Sequence, residues 1–250
     1  MNKVDELKAY VYENNPDLIF VDESWATDDI GDAEIQLEGY KIFRKDREQG
    51  RGGGCLIYAK GNIKLTKEEE LNNSNAEALW CLLQTKNGQM LLNISYNSPS
   101  NRKEDERILE ETIKKACNKY KNVLITGDFN HGSINWNTFE AKSDDKSFLD
   151  TTLECYLIQH VEEPTRGDNI LDLVLSSNEQ AVHNCTVVEP LGTSDHRMVE
   201  FDLICSIEDK DWKEEFFDFR KGNYEEMAKY LKSYDWSELY SSYQYIMDNI

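Results

Sequence analysis

The sequence predicts an α/β fold of two packed mixed β-sheets flanked by helices, four layers in all. Three observations predict it. Short apolar runs of strand length are interspersed with stretches of helical period. Lys86-Asn87-Gly88 lies between two apolar runs and is a hairpin signal, which favours mixed sheets over one purely parallel sheet. Acidic, amide and histidine residues recur at the ends of the strand-like runs, where a sheet edge meets solvent: Glu23, Asp128, Asn130, Asp172, Asp195 and His196.

Taken in order, Val4, Leu7 and Val11 mark one face of a short helix, and Asn14-Asn15-Pro16 ends it because proline lacks a donor and restricts its predecessor. Leu18–Val21 reads as a buried strand. The glycine run 50–54 breaks the chain before a strand at Cys55–Ala59. Ala76–Gln84 and Met90–Tyr96 are the hairpin arms. Glu104–Tyr120 is helical, with Leu109, Ile113, Ala116, Cys117 and Tyr120 on one face. Val123–Ile125 is a strand. Phe148, Leu149, Leu153, Tyr156 and Leu157 give a second amphipathic helix. Ile170–Leu175 and Met198–Ile204 are the last strands. Beyond Cys205 the character shifts. Glu208–Glu215 reads as a charged loop, Asn223 can cap a helix carrying Met227, Tyr230 and Leu231, and Trp236, Leu239, Tyr243 and Ile246 can line another. The expected organisation is one domain over residues 1–205 and a helical extension over 206–250.

The 250 residues are 39% hydrophobic, enough for a real core, and four prolines argue against long disordered stretches. The formal charge is −20, which excludes affinity for nucleic acid through a generally basic surface. Arg44, Lys45, Arg47 and Arg51 form the most basic stretch, readable as a phosphate contact or as a solvated loop. None of the six cysteines forms a CxxC pair, and several lie inside apolar runs. Free thiols in a reducing compartment are expected. No apolar run approaches a membrane span, and the N-terminus lacks a signal-peptide core, so an intracellular, soluble protein is expected.

Several carboxylates converging at one sheet edge repel one another unless a counter-charge is present. A divalent, oxygen-preferring cation is the usual answer, and such a site suits hydrolysis of a phosphate ester. The ordered set VDESW, GGGCLIYAK, SYNSPS, ITGDFN, EEPTRGDNILDLVLSS and LGTSDH resembles the endonuclease/exonuclease/phosphatase superfamily, and most closely the endonuclease domain of non-LTR retrotransposons of the jockey and chicken-repeat type. FFDFRKGNYEEMAKYL resembles the connector that leads toward a reverse transcriptase in those elements.

The resemblance implies a Mg²⁺-dependent DNA endonuclease, with Mn²⁺ as a substitute ion, that nicks one strand and leaves a 3′-hydroxyl to prime reverse transcription. DNA is the expected partner, a reverse transcriptase is expected in cis, no membrane is involved, and the nucleus is the expected site of action. Glu23 would be the principal magnesium ligand, with Asp195 near the metal. Asp128 is the preferred residue to orient or deprotonate the attacking water, the identity of the base varying across the family. Asn130 would contact a phosphoryl oxygen and the water. His196 would face the scissile phosphate, oriented by Asp172. Tyr96 would hydrogen-bond a phosphate oxygen. Thr165, Arg166 and Ser194 would lie along the substrate groove. His131, directly after GDFN, reads as loop surface, and Asn135 and Asn137 could add amide contacts.

The match breaks at the start. Family members carry a strand, with an amide near the metal, before the first helix, whereas Met1-Asn2-Lys3 immediately precede that helix here. A missing first strand, truncation at both ends and impaired activity are therefore expected. Two other readings stay open. One keeps the fold with a phosphoinositide or sphingomyelin substrate. The other is a non-catalytic binding protein descended from the nuclease.

Overall fold

The computed structural model describes residues 3–27, 29–47, 52–99, 103–207 and 223–233. The chain divides into two compact units, Met1–Lys210 and Asp211–Ile250. In the first, the elements run α1 (Val4–Asn14), β1 (Leu18–Val21), α2 (Asp32–Ile35), β2 (Tyr40–Lys45), β3 (Cys55–Lys60), β4 (Leu65–Lys67), α3 (Glu69–Asn72), β5 (Ala78–Thr85), β6 (Gly88–Tyr96), α4 (Lys103–Lys119), β7 (Val123–Asp128), α5 (Lys146–Glu154), β8 (Ile158–Gln159), β9 (Asp172–Ser176), β10 (Val182–Val188) and β11 (Met198–Leu203). In the second, α6 (Tyr224–Ser233) begins as expected at Asn223, whose side-chain oxygen accepts the Glu226 N–H. The expected loop over 208–215 and helix around Trp236–Ile246 lie outside the described residues.

The strands form a six-stranded sheet in the order β4-β5-β6-β7-β9-β8, a three-stranded sheet β1-β3-β2 and a two-stranded sheet β10-β11. Among the described residues only β6 and β7 pair in parallel, joined by the α4 crossover, and the remaining pairs are antiparallel. The layers follow from two-residue alternation along the strands. On β3, Cys55, Ile57 and Ala59 enter the core between the sheets, while Leu56 and Tyr58 pack outward with Leu7 and Ile35 of α1 and α2. On β5, Leu79, Cys81 and Leu83 face the same inter-sheet core, and Trp80 faces the opposite helical layer. That layer is built by Leu109, Ile113 and Ala116 of α4 and Phe148 and Leu149 of α5. The result is the expected order of helices, sheet, sheet, helices.

The strands missing from the sequence reading are β2, β4, β8 and β10. The basic stretch at Arg44 and Lys45, expected to be a loop or a phosphate contact, is the end of β2. The sequence reading expects the strand that family members carry ahead of α1 to be missing. Among the described residues β1 pairs only with β3 and β11 only with β10, and these two strands line a cavity of about 1300 Å³. Phe20 and Phe201 stack across it with ring centroids 6.4 Å apart. No helix among the described residues is long and apolar enough to cross a membrane.

One glycine fixes how β7 meets β6. Gly127 has φ of 132°, and a Cβ there would lie 1.8 Å from the Ser95 carbonyl oxygen. Gly127→Ala combines a backbone conformation closed to side chains with a clash against a ladder carbonyl, so it should cost about 3 kcal/mol or more of unfolding free energy. A urea-denaturation midpoint indistinguishable from that of the unsubstituted chain would contradict this placement.

Candidate active site

The polar ends of β1, β7 and β9 meet the loop ahead of β11 at one mouth of the cavity. Register aligns them: Tyr96 of β6 lies opposite Asp128 of β7, which lies opposite Asp172 of β9. His196 comes from the loop before β11 and bonds Asp172 Oδ2 through Nδ1 at 2.9 Å. Its Nε2 then lies 3.9 Å from Asp128 Oδ2. Asp128, Asp172 and His196 can each offer one ligand atom, all within 4.8 Å of one another.

Asn130 has φ of 54°, in the left-handed region that asparagine tolerates well. This turn returns its backbone N–H to Asp128 Oδ1 at 3.0 Å. Its amide nitrogen reaches Asp128 Oδ2 at 2.8 Å and the Asn97 carbonyl at 2.9 Å. Both amide hydrogens have partners within the protein, which leaves the amide oxygen as the group that can face a water.

Asp22 was missed by the sequence reading and lies at the centre of the site. Its Oδ2 accepts the Asp128 N–H at 2.9 Å and so ties the end of β1 to the end of β7 across the two sheets. The signal was present in VDESW. Phe20 faces the inter-sheet core, so two-residue alternation sends Asp22 to the same side. Glu23 is exposed, with φ of 43°, and Tyr96 donates its hydroxyl to the Glu23 carboxylate. Trp25 also has positive φ, at 55°. Neither residue type visits this region readily, at about 1–2 kcal/mol each. The glycine run holds the turn: Ser24 and Trp25 donate their N–H groups to the Gly54 and Gly53 carbonyls, at 3.0 and 2.8 Å. A Cβ on Gly54 would lie 2.6 Å from Ser24 Oγ, so the run is shaped to the VDESW turn.

Charge crowding sets the protonation of the site. Burial, then repulsion from Asp172, pushes Asp128 up to about 7, against the pull of His196 and the Asn130 donors. Burial, then Asp172 and Asp128, raises Asp22 well above the usual carboxylate range. The hydrogen bond to Asp172 pushes His196 up to about 9, with the Asp128 and Asp22 charges adding to it. Burial, then the bond to Glu23, raises Tyr96. A cation fits such a donor set of oxygens and one imidazole.

The remaining expected residues lie around this centre. Thr165 is fully buried, and its hydroxyl accepts the N–H groups of Leu171 and Asp172, both at 3.1 Å. It supports Asp172 from beneath and does not line an open groove. Arg166 is ion-paired with Asp195 at 2.6 Å, both side chains well exposed, and Asp195 is not in the Asp128–Asp172–His196 group. Ser194 accepts the His196 N–H at 3.3 Å. His131 is buried rather than on the loop surface: it stacks on Phe148 at 4.4 Å and its Nδ1 meets Asp145 at 3.1 Å. The Asn135 side-chain oxygen accepts the N–H groups of Asn137 and Thr138 in a local turn.

The basic stretch is engaged within the protein. Arg44 binds Asp32, Asp46 and the Thr27 and Ile30 carbonyls. Lys45 binds the Asn72 and Ser74 carbonyls. Arg47 grips Glu77 and lies over the Tyr96 ring, 5.6 Å from its centroid. Arg51 lies outside the described residues.

Residues 90–200 match the family model described as endonuclease-reverse transcriptase. The fold is that of the endonuclease/exonuclease/phosphatase superfamily. The endonuclease domain of TRAS1, a telomere-specific non-LTR retrotransposon, superposes with a TM-score of 0.66 at 18% identity, over 80% of this chain and 91% of that one. The apurinic endonuclease LMAP of Leishmania major gives 0.63 at 14%, over 80% and 82%. The Neisseria 3′ phosphatase NExo, solved with a product DNA hairpin, gives 0.61 at 14%, over 81% and 95%. No curated protein matches the chain in sequence.

The raised Asp128 fixes a sign for stability against pH. A carboxyl whose folded pKa lies near 7 instead of 3.8 favours folding while protonated, and that contribution is lost as pH rises from 3.8 through 7. Asp128→Asn removes the loss. In metal-free buffer at pH 8 the variant should be more stable than the unsubstituted chain by about 1–3 kcal/mol, and the difference should vanish near pH 4. A difference that is constant across this range, or reversed at pH 8, would show that Asp128 is not crowded as described.

Proposed function

We propose that the chain is the DNA endonuclease domain of a non-LTR retrotransposon and hydrolyses one phosphodiester of a duplex to leave a nick. The observation that carries this reading is the convergence of Asp128, Asn130, Asp172 and His196 from three separate segments. Glu23 would hold a Mg²⁺ ion, with Mn²⁺ able to replace it, and the crowded carboxylates beside it would supply balancing charge. A bound ion of this kind neutralises charge on the phosphate and acts as a Lewis acid.

The chain's own residues account for the remaining chemistry. Asp128, pushed up to about 7, is a base matched to neutral pH and takes the proton of the attacking water. The Asn130 amide oxygen accepts from the same water, and its pinned amide hydrogens hold the carboxylate in place. His196, at about 9, is cationic at neutral pH. Its Nδ1–H is held by Asp172, so Nε2–H is the donor presented to the phosphoryl oxygen as charge develops there. Tyr96 offers a second hydroxyl donor once it leaves Glu23. Arg166 would contact a flanking phosphate, and Thr165 and Ser194 keep Asp172 and His196 in position.

Residues 206–250 would connect this domain to a reverse transcriptase in cis, and the 3′-hydroxyl left by nicking would prime it, in the nucleus. The similarity to the TRAS1 endonuclease domain, LMAP and NExo supports a nucleic-acid substrate over a lipid one.

Plasmid relaxation tests this reading. Conversion of supercoiled to nicked circles should require Mg²⁺ or Mn²⁺ and stop with chelator. His196→Ala should lose about 10³-fold in rate, and Asp172→Asn about 10–100-fold, as expected for loss of an orienting partner. Metal-independent relaxation, or full activity in His196→Ala, would refute the assignment.

A further inference from the structure

The proposed hydrolysis uses none of the six cysteines, all of which are free. Four of them behave as ordinary packed thiols. Cys55 and Cys81 are completely buried between the sheets, and burial raises both, Cys81 to about 12. Cys185 and Cys205 are partly buried and likewise raised, Cys185 to about 11.

Cys117 and Cys155 differ. Cys117 lies in the last turn of α4 and Cys155 is the residue that ends α5. Both are partly exposed, and both pack against the core of the helical layer. The two thiols are neighbours in this layer, close enough for each to act on the other. The register that brings them together is set by two polar rungs between the same helices: Ser147 donates to Glu110 at 2.6 Å, and Lys114 pairs with Glu154 at 2.6 Å. The sulfur pair is the third rung.

We propose that Cys117 and Cys155 form a reversible, peroxide-responsive disulfide that staples α4 to the end of α5. Cys155 is the attacking group. The neighbouring Cys117 thiol, then the charge of Lys114, which is paired with the adjacent Glu154, holds its thiol below the ordinary value, whereas Cys117 is raised. A lowered, accessible thiol is where peroxide reacts first. The Cys155 thiolate attacks one oxygen of hydrogen peroxide, the O–O bond breaks, and hydroxide leaves and is protonated to water. Cys155 is then a sulfenic acid. The Cys117 sulfur attacks that sulfur, a second water leaves, and the disulfide is formed. Two thiols lose two electrons and two hydrogens, and one peroxide becomes two waters. A dithiol reductant reverses the step by exchange.

The staple would act next to the site without touching it. The N-terminal boundary of α5 is Asp145, which holds the Ser133 N–H and hydroxyl and His131, in the loop that directly follows Asp128–Asn130.

The experiment is peptide mapping of the full chain, fully reduced and then exposed to hydrogen peroxide under native conditions, with free thiols alkylated before digestion by trypsin. The expected product joins the peptide 116–119 to the peptide 147–166, with loss of two hydrogens from the intact mass and full reversal by dithiothreitol. Cys117→Ser should leave a sulfenic acid at Cys155 that dimedone captures, and Cys155→Ser should leave Cys117 reduced under the same exposure. Overoxidation of Cys155 with no link in the unsubstituted chain, equal reaction at Cys155 and Cys185, or a link to any other cysteine would overturn the proposal. None of these readouts depends on nuclease activity.

Discussion

The site is organised by the repulsion among Asp22, Asp128 and Asp172, held around a single histidine at the ends of three strands. Each carboxylate is placed there by the sheets and not by its own preference. Asp172 and Asp128 are cross-strand partners on β9 and β7, and Asp22 reaches over from the other sheet to the Asp128 N–H. Burial, and then their mutual repulsion, raises Asp22 and Asp128, and the hydrogen bond to Asp172, with the neighbouring charges, raises His196. Folding therefore stores unfavourable electrostatic energy at the one place where a cation and a phosphate could use it. A stable fold must supply the offset elsewhere, and the two apolar layers on either face of the six-stranded sheet are where it comes from.

Local backbone geometry converts that crowding into a usable site. Positive φ at Glu23, Trp25 and Asn130 departs from strand geometry just where β1 and β7 end. At Asn130 the departure folds the amide back onto Asp128. At Glu23 it turns the carboxylate toward Tyr96, and the carbonyls of Gly53 and Gly54 hold the turn in place. Close approach of β6 and β7 at Gly127 brings Tyr96 and Asp128 side by side. Glycine, asparagine and short polar residues thus control where the chemistry sits, and the aliphatic residues control whether the sheets meet at all.

The interior elements were legible from sequence, as were the edge strands β1 and β11, and the other edges were not. α4 and the β5–β6 hairpin carry clear periods and turn chemistry, and they appear as expected. Every strand that escaped the reading, β2, β4, β8 and β10, is an edge strand. Edge strands are half exposed and tolerate charge, so Lys41, Arg44 and Lys45 on β2 look like a loop although their backbones pair with β3. Of the expected site residues, Asp128, Asn130, Asp172 and His196 converge, and Glu23 and Tyr96 meet beside them. Asp195 and Arg166 pair with each other instead. His131 was misjudged because burial is a tertiary property and the loop after GDFN carries no mark of what will cover it, whereas Asp22 was passed over although alternation from Phe20 points it to the core side.

Anomalous diffraction from a crystal soaked in Mn²⁺ tests the central claim most directly. The account predicts one strong peak at the mouth of the cavity, about 2.0–2.4 Å from carboxylate oxygens that include Glu23 and at least one of Asp22, Asp128 and Asp172. Absence of any peak there at millimolar Mn²⁺, with Asp22, Asp128 and Asp172 still together, would contradict it.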